Sequence, residues 1–126
     1  MSGPTTHPNL IYYVGDTILI DVTVTDARGN VLQLVDIDVK WTLNDPNGVN
    51  VAICTVGNGI VITDVNGGKI EITVPASTTI TYAPGWYQDQ LRIKTLSDGY
   101  VVTQMVGLIN MKPSLQGANP MALISE

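Results

Sequence analysis

A chain of 126 residues is long enough for one domain with a real core and short of two. Hydrophobic residues at 44%, charged residues at 13% and a net charge of −5 exclude a disordered chain and the basic footprint of a nucleic-acid binder. A single cysteine, Cys54, excludes an internal disulfide framework, and no apolar run approaches the ~20 residues of a membrane helix. Val, Ile and Thr together fill about a third of the chain, and such β-branched side chains fit a pleated surface better than a helix.

Residues 1–9, MSGPTTHPN, read as an extended N-terminal arm; they lack the basic start and apolar stretch of a secretory leader. Residues 10–14 form a short apolar strand closed by Gly15-Asp16. In the next segment Ile18, Ile20, Val22 and Val24 alternate with Thr17, Asp21, Thr23 and Thr25, the two-residue period of a half-buried strand. Asp26 to Asn30 is a turn. A second alternating strand then points Ile37, Val39, Trp41 and Leu43 inward and Asp38, Lys40, Thr42 and Asn44 outward. Asp45-Pro-Asn-Gly48 has tight-turn chemistry. Val51 and Ile53 are expected to face inward on the following strand, leaving Cys54 outward. Gly57-Asn-Gly59 breaks that strand before Ile60–Ile62.

After the turn at residues 64–68, Ile70, Ile72 and Val74 alternate with Lys69, Glu71 and Thr73 until Pro75. Residues 76–83 connect to Pro84-Gly85. Tyr87, Leu91 and Ile93 then share a face, with Gln88, Gln90, Arg92 and Lys94 opposite. Ser97-Asp98-Gly99 closes a hairpin into residues 100–111, where Gly107 interrupts the alternation as a bulge would. Residues 113–126 read as an extended C-terminal tail. Seven to eight short strands at near-regular spacing point to an immunoglobulin-like antiparallel β-sandwich over residues 10–112. Its core is expected around Trp41 and Tyr87, with Ile20, Val22, Val39, Ile72 and Leu91. Tyr87, just after Pro84-Gly85, sits where such folds place a tyrosine corner.

Chemistry-bearing residues are sparse. One histidine and two glutamates leave few parts for acid–base catalysis. Asp36 and Asp38 share a face if both lie in a strand, which would suit a cation; a solvated strand edge is the reading preferred for them. Asp26, Asp45 and Asp64 each open a turn, and Asp64-Val-Asn66-Gly lacks the distal Glu of a calcium loop. His7 has no second His or Cys with which to build a zinc site, and Cys54 has no neighbouring base. Tyr82, Trp86 and Tyr100 are the candidates for a glycan-binding face, against core packing as the plain alternative. This inventory predicts no enzyme, no cofactor and no metal.

The ordered set Gly15-Asp16-Thr17, Val24-Thr25-Asp26-x-x-Gly29, Val39-x-Trp41-x-Leu43, Asp45-Pro46-x-Gly48, Ile62-Thr63-Asp64, Gly68 before Ile70-x-Ile72, Pro84-Gly85-x-Tyr87, Asp98-Gly99 and Thr103 resembles the immunoglobulin-like domains of tailed-bacteriophage virion proteins, notably the N-terminal domain of siphophage baseplate upper proteins. The resemblance covers about three quarters of the chain. It departs from the family pattern at Leu34-Val35-Asp36-Ile37 and at Gln88-Asp89-Gln90. It implies a non-enzymatic adaptor or decoration subunit of the virion, made in the host cytoplasm, docking on tail, baseplate or head–tail region through strand edges and arms. Partners would be other virion proteins and copies of itself, with no nucleic acid and no membrane. The alternatives are a capsid decoration (cement) protein and a carbohydrate- or cell-surface-binding module.

Overall fold

The alternating runs fold as strands in a computed structural model that describes residues 5–26, 28–97 and 99–113. Residues 1–4 of the arm, Asp98 of the hairpin turn and residues 114–126 of the expected tail lie outside the described residues. The strands are β1 (Thr5–Thr6), β2 (Leu10–Tyr13), β3 (Ile18–Thr23), β4 (Ile37–Asn44), β5 (Asn50–Val56), β6 (Gly59–Asp64), β7 (Lys69–Val74), β8 (Gly85–Thr95) and β9 (Val101–Lys112). One helical turn, α1 (Ala76–Thr79), precedes β8. The all-β class expected from composition is what the chain adopts.

The strands form one hydrogen-bonded path, β1-β9-β8-β4-β5-β6-β7-β3, and β2 continues the pairing of β1 along β9. The sheet is mixed, not wholly antiparallel: β1 and β2 run parallel to β9, and β5 meets β6 in parallel. Hydrophobic alternation reports which face a strand buries but not the direction of its neighbour, so these pairings were not legible in the sequence. The β5–β6 joint is only two pairs long, Thr55↔Gly59 and Val56↔Ile60, with Gly57 at φ 86° and Gly59 at φ 96° turning the chain between them. The positive φ is why glycines stand there.

Ile18, Ile20, Ile60, Ile70 and Ile72 from one half of the path share a single hydrophobic cluster with Val39, Trp41, Leu43, Tyr87, Leu91 and Ile109 from the other. The sheet therefore folds over on itself around that cluster. The two ends of the path are also joined: the Tyr12 hydroxyl donates to the Leu19 carbonyl at 2.9 Å and accepts from the Leu19 N–H at 3.3 Å. Of the seven expected core residues, Trp41, Tyr87, Ile20, Val39, Ile72 and Leu91 are buried, and Val22 is partly buried against the cluster.

Three local expectations are corrected. Cys54 faces inward and Ile53 is half exposed. The β4–β5 register sets Cys54 opposite Trp41 and Ala52 opposite Leu43, and the partner's inward residues decide the phase of a strand that carries apolar residues on both faces. The irregularity in the β8–β9 ladder falls between Leu91 and Arg92, where Met105 and Thr103 are their partners, so Gln104 is the extra residue and Gly107 stays in register opposite Asp89. Residues 5–9 do not stand away from the domain: β1 pairs with Met105 and Val106, and the His7 N–H donates to the Val106 carbonyl at 3.0 Å.

Candidate docking site

Period two places Trp86, Gln88 and Gln90 on the outer face of β8, beside Thr42 and Asn44 of β4 and Val106 and Leu108 of β9. A shallow groove of about 420 Å³ runs between these side chains, Trp86 apart, and Thr6. One row crosses three strands, Trp86 opposite Asn110 and Asn110 opposite Ile11. Leu108 and Tyr13 lie on the same face, two residues to either side of this row. Ile11 is 60% exposed, Trp86 50%, Tyr13 40% and Leu108 36%. A sheet face that mixes exposed apolar side chains with amides is suited to contact with another protein.

Beneath this face the alternation of β8 drives one carboxylate into the core. Asp89 lies between Tyr87 and Leu91 on the inward side and is 3% exposed. Both of its oxygens are engaged: the Trp41 indole N–H donates to Oδ2 at 2.9 Å, and His7 Nε2 lies 2.6 Å from Oδ1. The His7 ring fits over Gly107, where any Cβ would overlap it. His7 Nδ1 lies 2.7 Å from the Pro8 carbonyl oxygen. The side chains of His7 and Asp89 are 9% and 0% exposed. A carboxylate is tolerated in such a place only because donors meet it. Asp89 and its two partners were missed in the sequence, although Asp89 stands in phase with Tyr87 and Leu91.

The candidate glycan residues are not brought together. Tyr82 is buried and stacks on Tyr87, with centroids 5.4 Å apart. Trp86 opens β8, while Tyr100 lies past its far end, 69% exposed. Eleven residues of strand separate the two ends of β8, about 33 Å by strand rise. The Tyr87 hydroxyl donates to the Ala83 carbonyl at 2.7 Å, pinning the loop that leads into β8.

Burial, and secondarily the neighbouring Tyr87, pushes the Tyr82 phenol up to about 12. The Tyr87 phenol is also raised, mainly by burial. A phenol raised above its ordinary value near 10 favours the folded state fully below pH 10 and loses that contribution as pH climbs through 12. An alkaline absorbance titration is expected to show late-ionising tyrosines, with the latest step removed by Tyr82→Phe. A titration curve unchanged by that substitution would contradict the assignment.

The acidic candidates are occupied locally. Asp26 accepts the N–H groups of Arg28 and Asn30, and these bonds, the Arg28 one foremost, hold its carboxyl below the usual range. Asp45 accepts from Asn47 and Val49, and Asp64 from Gly67. Asp36 does not share a strand face with Asp38. It sits before β4 in the left-handed region at φ 55°, while Asp38 lies in β4 opposite Lys94. Among the described residues no group of three His, Cys, Asp or Glu side chains is placed to hold a metal ion. Cys54 Sγ lies 3.8 Å from the Thr73 carbonyl, and burial raises its thiol.

No family model matches the chain, and no curated protein matches its sequence. Among solved structures it is similar to CopC from Methylosinus trichosporium OB3b, at 16% identity over 83% of this chain and 84% of that one, with a TM-score of 0.48. It is also similar to a DUF4785 family protein from Legionella pneumophila, at 14% identity and a TM-score of 0.45, over 84% of this chain and 26% of that one.

Proposed function

We propose that the chain is an immunoglobulin-like β-sandwich acting as a non-enzymatic structural subunit of a tailed-phage virion, docked on tail, baseplate or head–tail region. The sandwich reading is supported by the fold-over of the sheet around Trp41 and by the Tyr87 hydroxyl held on Ala83 four residues upstream. The virion reading rests on the ordered motifs from Gly15 to Thr103. The observation that carries the docking role is the outer face of β8, β9 and β2, which exposes Ile11, Tyr13, Trp86 and Leu108 and carries a shallow groove lined in part by Asn44, Gln88 and Gln90. Partners are other virion proteins and further copies of the chain.

Purified full-length chain mixed with isolated tails and with empty heads tests this reading. Tail binding that falls at least tenfold in the double variant Trp86→Ala, Leu108→Asp, with the unfolding midpoint nearly unchanged, is the expected result, because surface substitutions usually change stability by only about 0.5 kcal/mol. Binding to heads alone would assign capsid decoration instead. Binding to neither, with saturable glycan binding lost on Trp86→Ala, would replace the virion role by a cell-surface module. The dispersal of Tyr82, Trp86 and Tyr100 weighs against that last reading.

A further inference from the structure

We propose that the outer edge of β5 is a pairing site for a second copy of the chain, whose own β5 adds to it antiparallel over residues 50–54. On one side β5 is fully partnered by β4, from Lys40 opposite Thr55 to Asn44 opposite Asn50. On the other side β6 reaches only Thr55 and Val56. The Thr55 N–H donates to the Asn58 carbonyl, and the Asn58 N–H donates to the Thr55 carbonyl. The polar backbone groups of Thr55 therefore point away from β4. The two-residue period turns those of Ile53 the same way. Among the described residues no strand stands opposite them there. The nearby Val51 carbonyl meets the Tyr82 hydroxyl at a long 3.4 Å. A groove of about 510 Å³, lined by Pro46, Asn47 and Val51 and by Thr78, Thr81 and Pro84, leaves open space beside this part of the edge.

Unpaired backbone groups along a strand edge select an extended main chain as their occupant. The charge pattern selects which one. No residue from Pro46 to Thr63 carries a charge, and no proline or lysine lies on β5. Natural edges are commonly guarded by such residues. With 11 acidic against 6 basic side chains, two copies repel through most of their surface, but not through this stretch. The edge also supplies its own complement, because β5 is itself an uncharged strand of the required length. A two-fold axis at Ala52 sets Ile53 of each copy opposite Val51 of the other, so that each Ile53 N–H donates to the other copy's Val51 carbonyl. Val49 and Ile53, 57% and 53% exposed, flank the junction and lose contact with water on pairing. The site lies on β5 and not on the outer face of β8, so it stands apart from the docking reading.

Sedimentation velocity of the full chain, from micromolar to millimolar concentration, tests the pairing together with hydrogen exchange at the Ile53 amide in the same samples. The expected result is a reversible dimer, with Ile53 exchange slowing as the dimer forms. Ile53→Lys sets a charge on each side of the junction and is expected to weaken the dimer by about tenfold. Ile53→Pro removes an N–H that β4 does not use, and is expected to weaken it at least as much. An unchanged unfolding midpoint in Ile53→Lys shows that the fold is kept. A chain that stays monomeric at millimolar concentration would overturn the proposal, as would a dimer that Ile53→Lys leaves intact. Ile53 exchange already slow in the monomer would mean that the same chain fills its own edge, and would overturn it too. Trp86 and Leu108 are untouched in these variants, so their binding to tails reports on the docking reading separately.

Discussion

Replacing Asp89 by alanine is expected to destabilise the fold by roughly 2–5 kcal/mol, because the buried carboxyl is the hydrogen-bond partner of two side chains. Two groups lose their acceptor at once. The Trp41 indole N–H, fully buried, is left without a bond, which alone costs about 1–3 kcal/mol. The His7 imidazole is left beside an apolar void. Asp89→Asn should recover part of the loss, because its carbonyl can still accept from Trp41. Urea unfolding followed by tryptophan fluorescence reads the effect. A midpoint within error of the unmodified chain would mean that Asp89 contributes little to the core.

Trp41→Ala is expected to be of comparable or greater size, roughly 3–5 kcal/mol from lost burial and the residual cavity alone. Trp41 is 0% exposed at the centre of β4, flanked in register by Leu91 of β8 and Cys54 of β5. Its removal also strips Asp89 of one donor. The two substitutions delete the same hydrogen bond, so the double variant should cost less than the sum of the singles. A strictly additive result would show that the indole–carboxylate bond carries no coupling. Trp41→Phe separates the terms, keeping most of the packing and losing only the donor. Deleting residues 1–9 takes His7 from the other Asp89 oxygen and should lower stability as well.

Strand placement was legible because most strands bury a single face. Ile18 and Ile20, Val39 and Trp41, and Ile70, Ile72 and Val74 all stand where alternation put them. Cys54 was misplaced because Val51 and Ile53 mimic an inward row, and only pairing with Trp41 sets the true phase. Asp36 looked like a strand residue, but its left-handed backbone is imposed by the bend into β4, where its carbonyl accepts the Leu96 N–H. Asp89 was in phase with the core, yet a carboxylate there makes sense only once its donors are known. Those donors lie 48 and 82 residues away, and no local pattern announces them. Gly107 looked like a bulge because a missing side chain in a strand has two causes, a kink or a neighbour that needs the space. The outer face was hidden similarly, since Ile11, Trp86 and Leu108 come onto one face only through the β2–β9–β8 register.

The parallel run of β1 and β2 against β9 has a mechanical consequence. The first described strands and the last one lie side by side and point the same way, with Leu10 to Tyr13 matched to Ile109 to Lys112. A pull applied between the two ends of the domain acts along this seam, not across it. Its backbone bonds share the load in shear and must yield together, instead of opening one after another like a zip. A unit built this way resists tension along its long axis far better than a hairpin peeled from one end.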